Sequence, residues 1–196
     1  MFRSRRPDIR YSDLHCHILP GLDDGAQDTK TALQMARIAR ESGAKRIFAT
    51  PHILPGVFDP SVQEIRRGVT ELQDLIDREG IDLTLLEGSE ISLSERLEPD
   101  VRDERVLPLA GSRHLLIELP SMSSPANSLD RIFDLRVLGV GVILAHPERS
   151  RVVRENRGLV KEMVETGVYL QVNAGSLVGV YGREVARFAI DLVRED

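Results

Sequence analysis

The fold is decided by residues 9–50, IRYSDLHCHILPGLDDGAQDTKTALQMARIARESGAKRIFAT. Short apolar and β-branched runs at both ends of this stretch predict two strands. Between them, small apolar residues recur at helical spacing from Asp28 or Thr29, and Gly43 predicts the end of that helix. A strand, a helix and a second strand in this order are typical of a parallel α/β sheet.

The same alternation continues along the chain and predicts about six βα units. The predicted strands are residues 9–15, 46–50, 83–86, 114–119, 141–145 and 168–172. Longer helices are predicted from Pro60 to Glu79 and over residues 182–194. A closed βα barrel would have a further strand after the last helix, so we expect a shortened α/β barrel, in a single domain over residues 1–196.

The composition argues against several classes of protein. With 196 residues and a formal net charge of −5, the chain lacks the excess of Lys and Arg that a general nucleic-acid binder needs. No apolar run approaches the roughly 20 residues of a membrane-spanning helix. Residues 1–10 are expected to form a flexible extension, and no secretory apolar segment follows them. We therefore expect a cytoplasmic protein without membrane insertion, in agreement with the single Cys16.

Two histidines and two aspartates follow the first predicted strand closely. His15 and His17 are separated by one residue, and alternate side chains of a strand point to the same face, so both imidazoles can reach one metal ion. Asp23 and Asp24 in the next loop could bring a carboxylate back over the strand end. The alternatives are polar residues at the exposed mouth of a strand and an ordinary Asp-Asp-Gly turn.

Four more candidate ligands are expected at other strands. His52 follows the second strand, Glu90 is expected to end the third, Glu118 lies inside an apolar strand, and His146 closes another. A buried carboxylate costs several kcal/mol unless it is paired or bound to a cation, so Glu118 either binds a metal or pairs with an arginine. His52 could instead be a solvated surface residue. Active sites of βα barrels lie at the carboxyl ends of the strands, which favours convergence of these groups.

The mixture of imidazole and carboxylate ligands suits Mn, Fe or Zn and favours hydrolysis of phosphate esters. Arg149, three residues after His146, could bind a phosphate group. Three more arginines nearby either assist it or form a solvated basic loop: Arg151, Arg154 and Arg157. A cysteine-dependent phosphatase needs an arginine six positions after its cysteine, where this chain has Leu22 after Cys16.

Five motifs taken together closely resemble one family. They are DLHCHILPGLDDG at 13–25, ATPH at 49–52, GSEI at 88–91, LIE at 116–118 and AHPER at 145–149. The chain resembles the manganese-dependent tyrosine phosphatases of the CpsB/CapC type, in the PHP (polymerase and histidinol phosphatase) superfamily. The resemblance implies a distorted TIM-like (β/α)7 barrel, here with about six units, which holds two or three Mn ions and hydrolyses phosphotyrosine. The implied partner is the tail of a bacterial tyrosine kinase that controls capsule or exopolysaccharide production. The resemblance is also compatible with an oligomeric protein.

Carried across by position, the resemblance implies seven metal ligands. They are His15, His17, Asp24, His52, Glu90, Glu118 and His146. It also implies that Arg149 binds the phosphate, with Asp24 and Glu90 as further catalytic residues and Glu90 as a bridge between ions. The family has a further Ser-Asp-x-His motif that does not occur before Asp196. Two alternatives therefore stay open: a histidinol-phosphatase-like phosphoesterase, and a catalytically impaired PHP domain that acts as a regulatory binding module.

Overall fold

A computed structural model describes residues 9–119 and 128–194. Its strands are β1 Tyr11–Cys16, β2 Ala44–Ala49, β3 His52–Ile53, β4 Thr84–Glu87, β5 Glu90–Ser92, β6 His114–Glu118, β7 Gly141–Ala145 and β8 Tyr169–Gln171. Its α-helices are α1 Thr29–Ser42, α2 Val62–Arg78, α3 Leu97–Arg102, α4 Ser128–Val137, α5 Arg151–Glu155, α6 Arg157–Glu165, α7 Ala174–Leu177 and α8 Arg183–Arg194. Short 3₁₀ helices occupy Leu109–Gly111 and Pro147–Arg149.

These residues divide into two compact units. The first contains the described residues up to Ser89 together with Leu109–Gly111. The second contains Glu90–Pro108 and the described residues from Ser112 onward. The single domain expected over residues 1–196 stays a prediction, and most of the flexible extension expected for residues 1–10 lies outside the described residues.

The first unit is built on a parallel sheet in the order β1–β2–β4. Helix α1 begins where the Asp28 side chain accepts a hydrogen bond from the Thr31 amide, and it ends at Gly43, whose φ of 110° favours glycine. Helix α2 begins with a capping box between Ser61 and Glu64 and packs on both α1 and β4. Buried apolar side chains of the helices and of Ile47 form the core of this unit. Strands β1 and β2 therefore end at the same edge of their sheet. His15, His17 and His52 lie at or shortly after these strand ends.

The second unit contains the parallel strands β5–β6–β7–β8, in that order. The centre of this sheet is fully apolar and buried, since Leu116, Ile117, Val142 and Leu144 are all at most 1% exposed. Burial on both faces is typical of a parallel sheet covered by helices. The carboxyl ends of β6 and β7 lie at one edge, which places Glu118 and His146 near each other in this unit.

The α/β class with parallel strands is confirmed, and the six predicted strands are found within three residues of their expected ends. Closure into a barrel stays a prediction. Two short strands were not predicted, because β3 and β5 are only two and three residues long. The prediction that Glu90 ends the third strand is wrong: β4 ends at Glu87, and Glu90 begins β5 after a break at residues 88–89.

None of the helices in the described part of the chain combines the length and the apolar character that a membrane-spanning segment needs.

Candidate metal-binding residues

His15 and His17 lie at the carboxyl end of β1 and direct ring nitrogens at the same point. Their Nε2 atoms are 3.0 Å apart, and both side chains are half-buried. The position of this segment is fixed to the end of β2, because the Cys16 amide donates to Thr50 Oγ1 and the Thr50 amide donates to the Cys16 carbonyl. Two imidazole nitrogens that face each other at this distance can share a single proton or a single cation.

Asp23 holds the His17 ring from the other side. Its Oδ2 lies 2.6 Å from His17 Nδ1 and also accepts the His52 amide at 2.9 Å, while Oδ1 accepts the Gly25 amide at 2.9 Å. Burial raises the pKa of this carboxyl, but the hydrogen bonds from His17, Gly25 and His52 outweigh burial and leave the pKa below its ordinary value. An ionised Asp23 favours the proton on Nδ1, so the lone pair of His17 Nε2 remains available to a metal.

Asp24 and His52 complete a group of three potential ligands in the first unit. One ligand atom each from His17, Asp24 and His52 lies within 4.8 Å of the other two. His52 Nε2 is 3.7 Å from Asp24 Oδ1, and the His52 ring stacks on Phe58 with a centroid distance of 5.9 Å. Asp24 is exposed, so its carboxylate can turn towards a cation at little cost in desolvation.

Gly25 permits the close approach of the loop to His17. A Cβ at this position would overlap the carbonyl oxygen and the Cβ of His17. The Ala26 amide donates to the same His17 carbonyl at 3.0 Å, which ties the loop down. The Asp-Asp-Gly sequence is therefore more than a turn, because its glycine lets both aspartates return over the end of β1.

Cys16 lies between the two histidines, in surroundings that disfavour its thiolate form. Burial raises the pKa of Cys16 to about 12, with the charges of Asp13 and Asp23 as further causes. Burial also raises the pKa of Asp13, in part offset by a hydrogen bond from the His15 amide. These properties agree with the sequence-based prediction that Cys16 is not a nucleophile.

Glu90 and His146 meet in the second unit. His146 Nε2 lies 2.7 Å from Glu90 Oε1, and Glu90 is fully buried while His146 is 9% exposed. A carboxylate oxygen of Glu118, at the end of β6, lies within 4.8 Å of a carboxylate oxygen of Glu90. Two carboxylates at this distance repel each other unless a proton or a cation lies between them. Glu90 therefore has a histidine and a second carboxylate within reach of a shared cation.

The backbone of His146 is strained in a way that favours a functional role. Its φ of 31° and ψ of 54° lie in the left-handed region, which costs a residue other than glycine about 1–3 kcal/mol. The His146 amide donates to Gln171 Oε1 at 3.2 Å, which helps to hold this conformation. The strained turn directs the imidazole towards Glu90, rather than along the continuation of β7.

Arg149 follows on a 3₁₀ helix and is exposed, with its guanidinium carbon 4.7 Å from the centre of the Tyr181 ring. A guanidinium over an aromatic face is oriented without losing its charge. Arg149 is thus available for an anion in the second unit.

Two side chains near these groups were not predicted from the sequence. Asp23 was considered only as a possible loop carboxylate, with Asp24 preferred as the ligand. Glu148 is fully buried, and its Oε1 accepts hydrogen bonds from the Asn173 amide and from Ser176 Oγ. Its other oxygen, Oε2, has no hydrogen-bond partner among the described residues. The one signal for Glu148 in the sequence is its place between His146 and Arg149.

The donor atoms of both units fit divalent cations. Each set combines imidazole nitrogens with carboxylate oxygens and contains no thiolate, a combination that suits Mn, Fe or Zn. In the first unit an aspartate orients a histidine from behind, as the outer-shell carboxylates of metal sites do. In the second unit Glu90 lies close to His146 and, separately, to Glu118.

Comparison with known proteins agrees with this geometry. The family model for capsular polysaccharide synthesis, CpsB/CapC, matches residues 11–196. The tyrosine-protein phosphatase YwqE of Bacillus subtilis is 37% identical over 181 residues, which cover 92% of this chain and 71% of that protein. The tyrosine-protein phosphatase CpsB of Streptococcus pneumoniae is 24% identical over 83% of this chain and 67% of its own length.

A solved structure matches as well. It comes from the crystal structures of YwqE and CpsB, described as metal-dependent tyrosine phosphatases. The TM-score is 0.90 at 36% identity, over 94% of this chain and 74% of that chain. The chain therefore belongs to the CpsB/CapC family of capsular polysaccharide synthesis.

Proposed function

We propose that this protein is a metal-dependent phosphatase that hydrolyses phosphotyrosine on proteins. The observation that carries the proposal is the Asp23–His17 pair, which leaves one imidazole nitrogen directed at the same point as Asp24 and His52. The relatives YwqE and CpsB, named as tyrosine phosphatases and described as metal-dependent, support the same reaction.

The proposed ligands are the seven residues predicted from the sequence, four in the first unit and three in the second. They are His15, His17, Asp24, His52, Glu90, Glu118 and His146. The proposed metal is Mn in two or three copies, and the same donors also accept Fe or Zn. When bound, such cations activate water and neutralise the charge of the reacting phosphate.

Side chains of the chain itself position the reactants. Arg149 is the proposed phosphate-binding residue, because its forked guanidinium can donate two hydrogen bonds to one phosphate group. Asp23 keeps His17 in the tautomer that binds metal, and Glu148 ties the segment of Arg149 to residues 173–176. Buried Glu90 is the proposed bridging ligand, beside His146.

The proposed substrate is a tyrosine-phosphorylated protein of capsule or exopolysaccharide production, with a bacterial tyrosine kinase as the partner and the cytoplasm as the place of action. The family description supports the capsule context, and the names of the relatives support a tyrosine-phosphorylated protein as the substrate.

Phosphate release tests the proposal directly. The purified protein, with and without added Mn, is given a phosphotyrosine peptide and, separately, histidinol phosphate. We expect Mn-dependent release from the peptide and at most slow release from histidinol phosphate. The reverse preference would assign the chain to the histidinol-phosphatase class.

Metal content and variants separate an enzyme from a binding module. We expect two or more ions per chain by elemental analysis, and joint loss of bound metal and turnover in His17→Ala and His146→Ala. His114→Ala is the matched control, since His114 is the one histidine outside the proposed ligand set. One ion or none, with no turnover in Mn, would favour a regulatory binding module.

A further inference from the structure

A cleft rich in arginine lies in the second unit, outside the proposed ligand sets. Its volume is about 610 Å³. The charged side chains that line it are Arg151, Arg154, Arg157, Arg187, Glu155 and Glu184. The lining is thus predominantly positive, in a chain whose formal net charge is −5. Such a local excess of positive charge attracts anions in spite of the overall charge.

Arg154 is held in place without being neutralised. Its Nη1 donates to the carbonyl oxygens of Glu148 and Arg149, both at 2.8 Å. Carbonyl groups fix the direction of a guanidinium but carry no net charge, so the positive charge of Arg154 remains available to a ligand. Arg151, by contrast, pairs with Glu155 at 2.7 Å.

Phe188 is the apolar residue that lines the cleft, and an arginine covers its ring. Phe188 is only 4% exposed, and the Arg157 guanidinium carbon lies 4.9 Å from the centre of its ring. Asp191 also holds Arg157, at 2.6 Å. Exposed Arg187 projects from the same helix as Phe188. An extended peptide with anionic side chains fits this lining, since its anionic groups can meet the guanidinium groups of Arg154 and Arg187.

Part of the cleft lining follows Arg149 directly in the chain. Arg151 and Arg154 follow Arg149 by two and five residues, and Arg154 contacts the Arg149 backbone. The five residues of α5 span about 7.5 Å at the usual helical rise. An extended peptide advances about 3.3 Å per residue, so positions two to four residues from a phosphotyrosine lie about 7–13 Å from it.

We propose that this cleft binds carboxylate or phosphate groups of a protein substrate, on residues two to four positions from its phosphotyrosine. This proposal rests on the proposed function of the chain. A peptide fits the concave shape, whereas the flat surface of an anionic membrane cannot enter a cleft. The net negative charge of the chain disfavours a nucleic acid, whose affinity depends on many basic contacts.

Matched phosphotyrosine peptides test the proposal on the Mn-loaded protein. They differ only at positions two to four on either side of the phosphotyrosine, which carry Glu, Gln, Lys or phosphoserine. We expect kcat/KM for the Glu and phosphoserine peptides to exceed that for the Gln peptide by about ten-fold, as two exposed ion pairs allow. The Lys peptide should be the poorest substrate.

Variants then assign the preference to the cleft. Arg187→Gln should reduce the Glu-to-Gln ratio several-fold while the backbone contacts of Arg154 stay intact. The double variant Arg154→Gln/Arg187→Gln should bring the ratio close to one. Arg67→Gln is the matched control, because Arg67 is an exposed helical arginine of the first unit, paired with Glu71, and should retain the ratio.

Equal kcat/KM for the Glu and Gln peptides in the unmodified protein would overturn the proposal, as would a ratio that both variants retain. Binding to phosphatidylserine vesicles that the variants lose, with peptide preference unchanged, would assign the cleft to membranes instead. Absence of phosphate release from every peptide would refute the proposed function, and this proposal with it.

Discussion

Replacing Asp23 by asparagine tests whether Asp23 orients His17 for the proposed metal binding. The Asp23 carboxylate lies against three donors: His17 Nδ1, the Gly25 amide and the His52 amide. Asparagine has nearly the same shape but a single acceptor oxygen. If that oxygen takes the place of Oδ2, the side-chain NH2 group of the asparagine faces the Gly25 N–H. In the opposite orientation the NH2 group faces His17 Nδ1 and the His52 amide. At least one of these half-buried donors loses its acceptor in either case.

The loss of an acceptor sets the expected change in stability and in metal affinity. An unsatisfied buried donor costs about 1–3 kcal/mol, so for these half-buried donors the free energy of unfolding of the metal-free protein should fall by about 1 kcal/mol, the lower end of that range. Mutation of an outer-shell partner of a metal-binding histidine lowers metal affinity about 10–100-fold. We expect a loss of Mn affinity in this range for Asp23→Asn, measured by calorimetric titration, with urea unfolding of the metal-free protein alongside.

Asp28→Asn is the matched control. Asp28 caps α1 through the Thr31 amide, and asparagine is an equally good N-cap, so stability and Mn affinity should both be unchanged. An Asp23→Asn protein that binds Mn as tightly as the unmodified protein would refute the role of Asp23 in orienting His17.

Three further predictions concern single positions. Gly25→Ala should destabilise the fold by about 1–3 kcal/mol in urea unfolding and weaken Mn binding, because the added Cβ overlaps His17. Gly68→Ala in α2 is the control: its Cβ meets only Leu side-chain atoms at 3.6 Å or more, so it should stabilise the fold by about 0.5–1 kcal/mol. Cys16→Ser should retain phosphate release, and complete loss would revive a thiol mechanism. Hydrogen bonds from Ser61 lower the pKa of Glu64. The part of the stability lost in Ser61→Ala that comes from Ser61 Oγ donating to the Glu64 carboxylate should be full above the ordinary glutamate pKa and be lost as pH falls through the lower folded pKa. The cap that Ser61 Oγ provides for the Glu64 amide should persist at low pH, so the difference should fall without reaching zero, and a constant difference across urea titrations from pH 7 to pH 3 would contradict this.

Much of the fold follows from local patterns in the sequence. The α1 prediction is confirmed because its signals are local: Asp28 at the N-cap, alanines on the buried face and Gly43 at the end. Strand β7 was predicted with its observed bounds because four apolar residues follow Gly141 and precede His146. The start of α2 was placed two residues early, since Pro60 was taken as its first residue while Ser61 supplies the cap.

The site was harder to predict where two adjacent residues could take the same role, or where hydrogen-bond partners are far apart in the sequence. Asp23 and Asp24 are adjacent, and their different surroundings depend on the close approach of Gly25 to His17, which no spacing rule shows. Glu148 bonds to Asn173 and Ser176, 25 and 28 residues away, so its burial has no local signal. The histidine pair at 15 and 17, by contrast, follows from the two-residue period of a strand.

Diffraction from a crystal grown with manganese, recorded at the manganese absorption edge, tests most directly whether these side chains bind metal. We predict anomalous peaks within bonding distance of His17 Nε2 and His52 in the first unit, and of Glu90 and His146 in the second. Manganese-dependent phosphate release from a crystal form in which no peak touches any of these four residues would contradict the assignment.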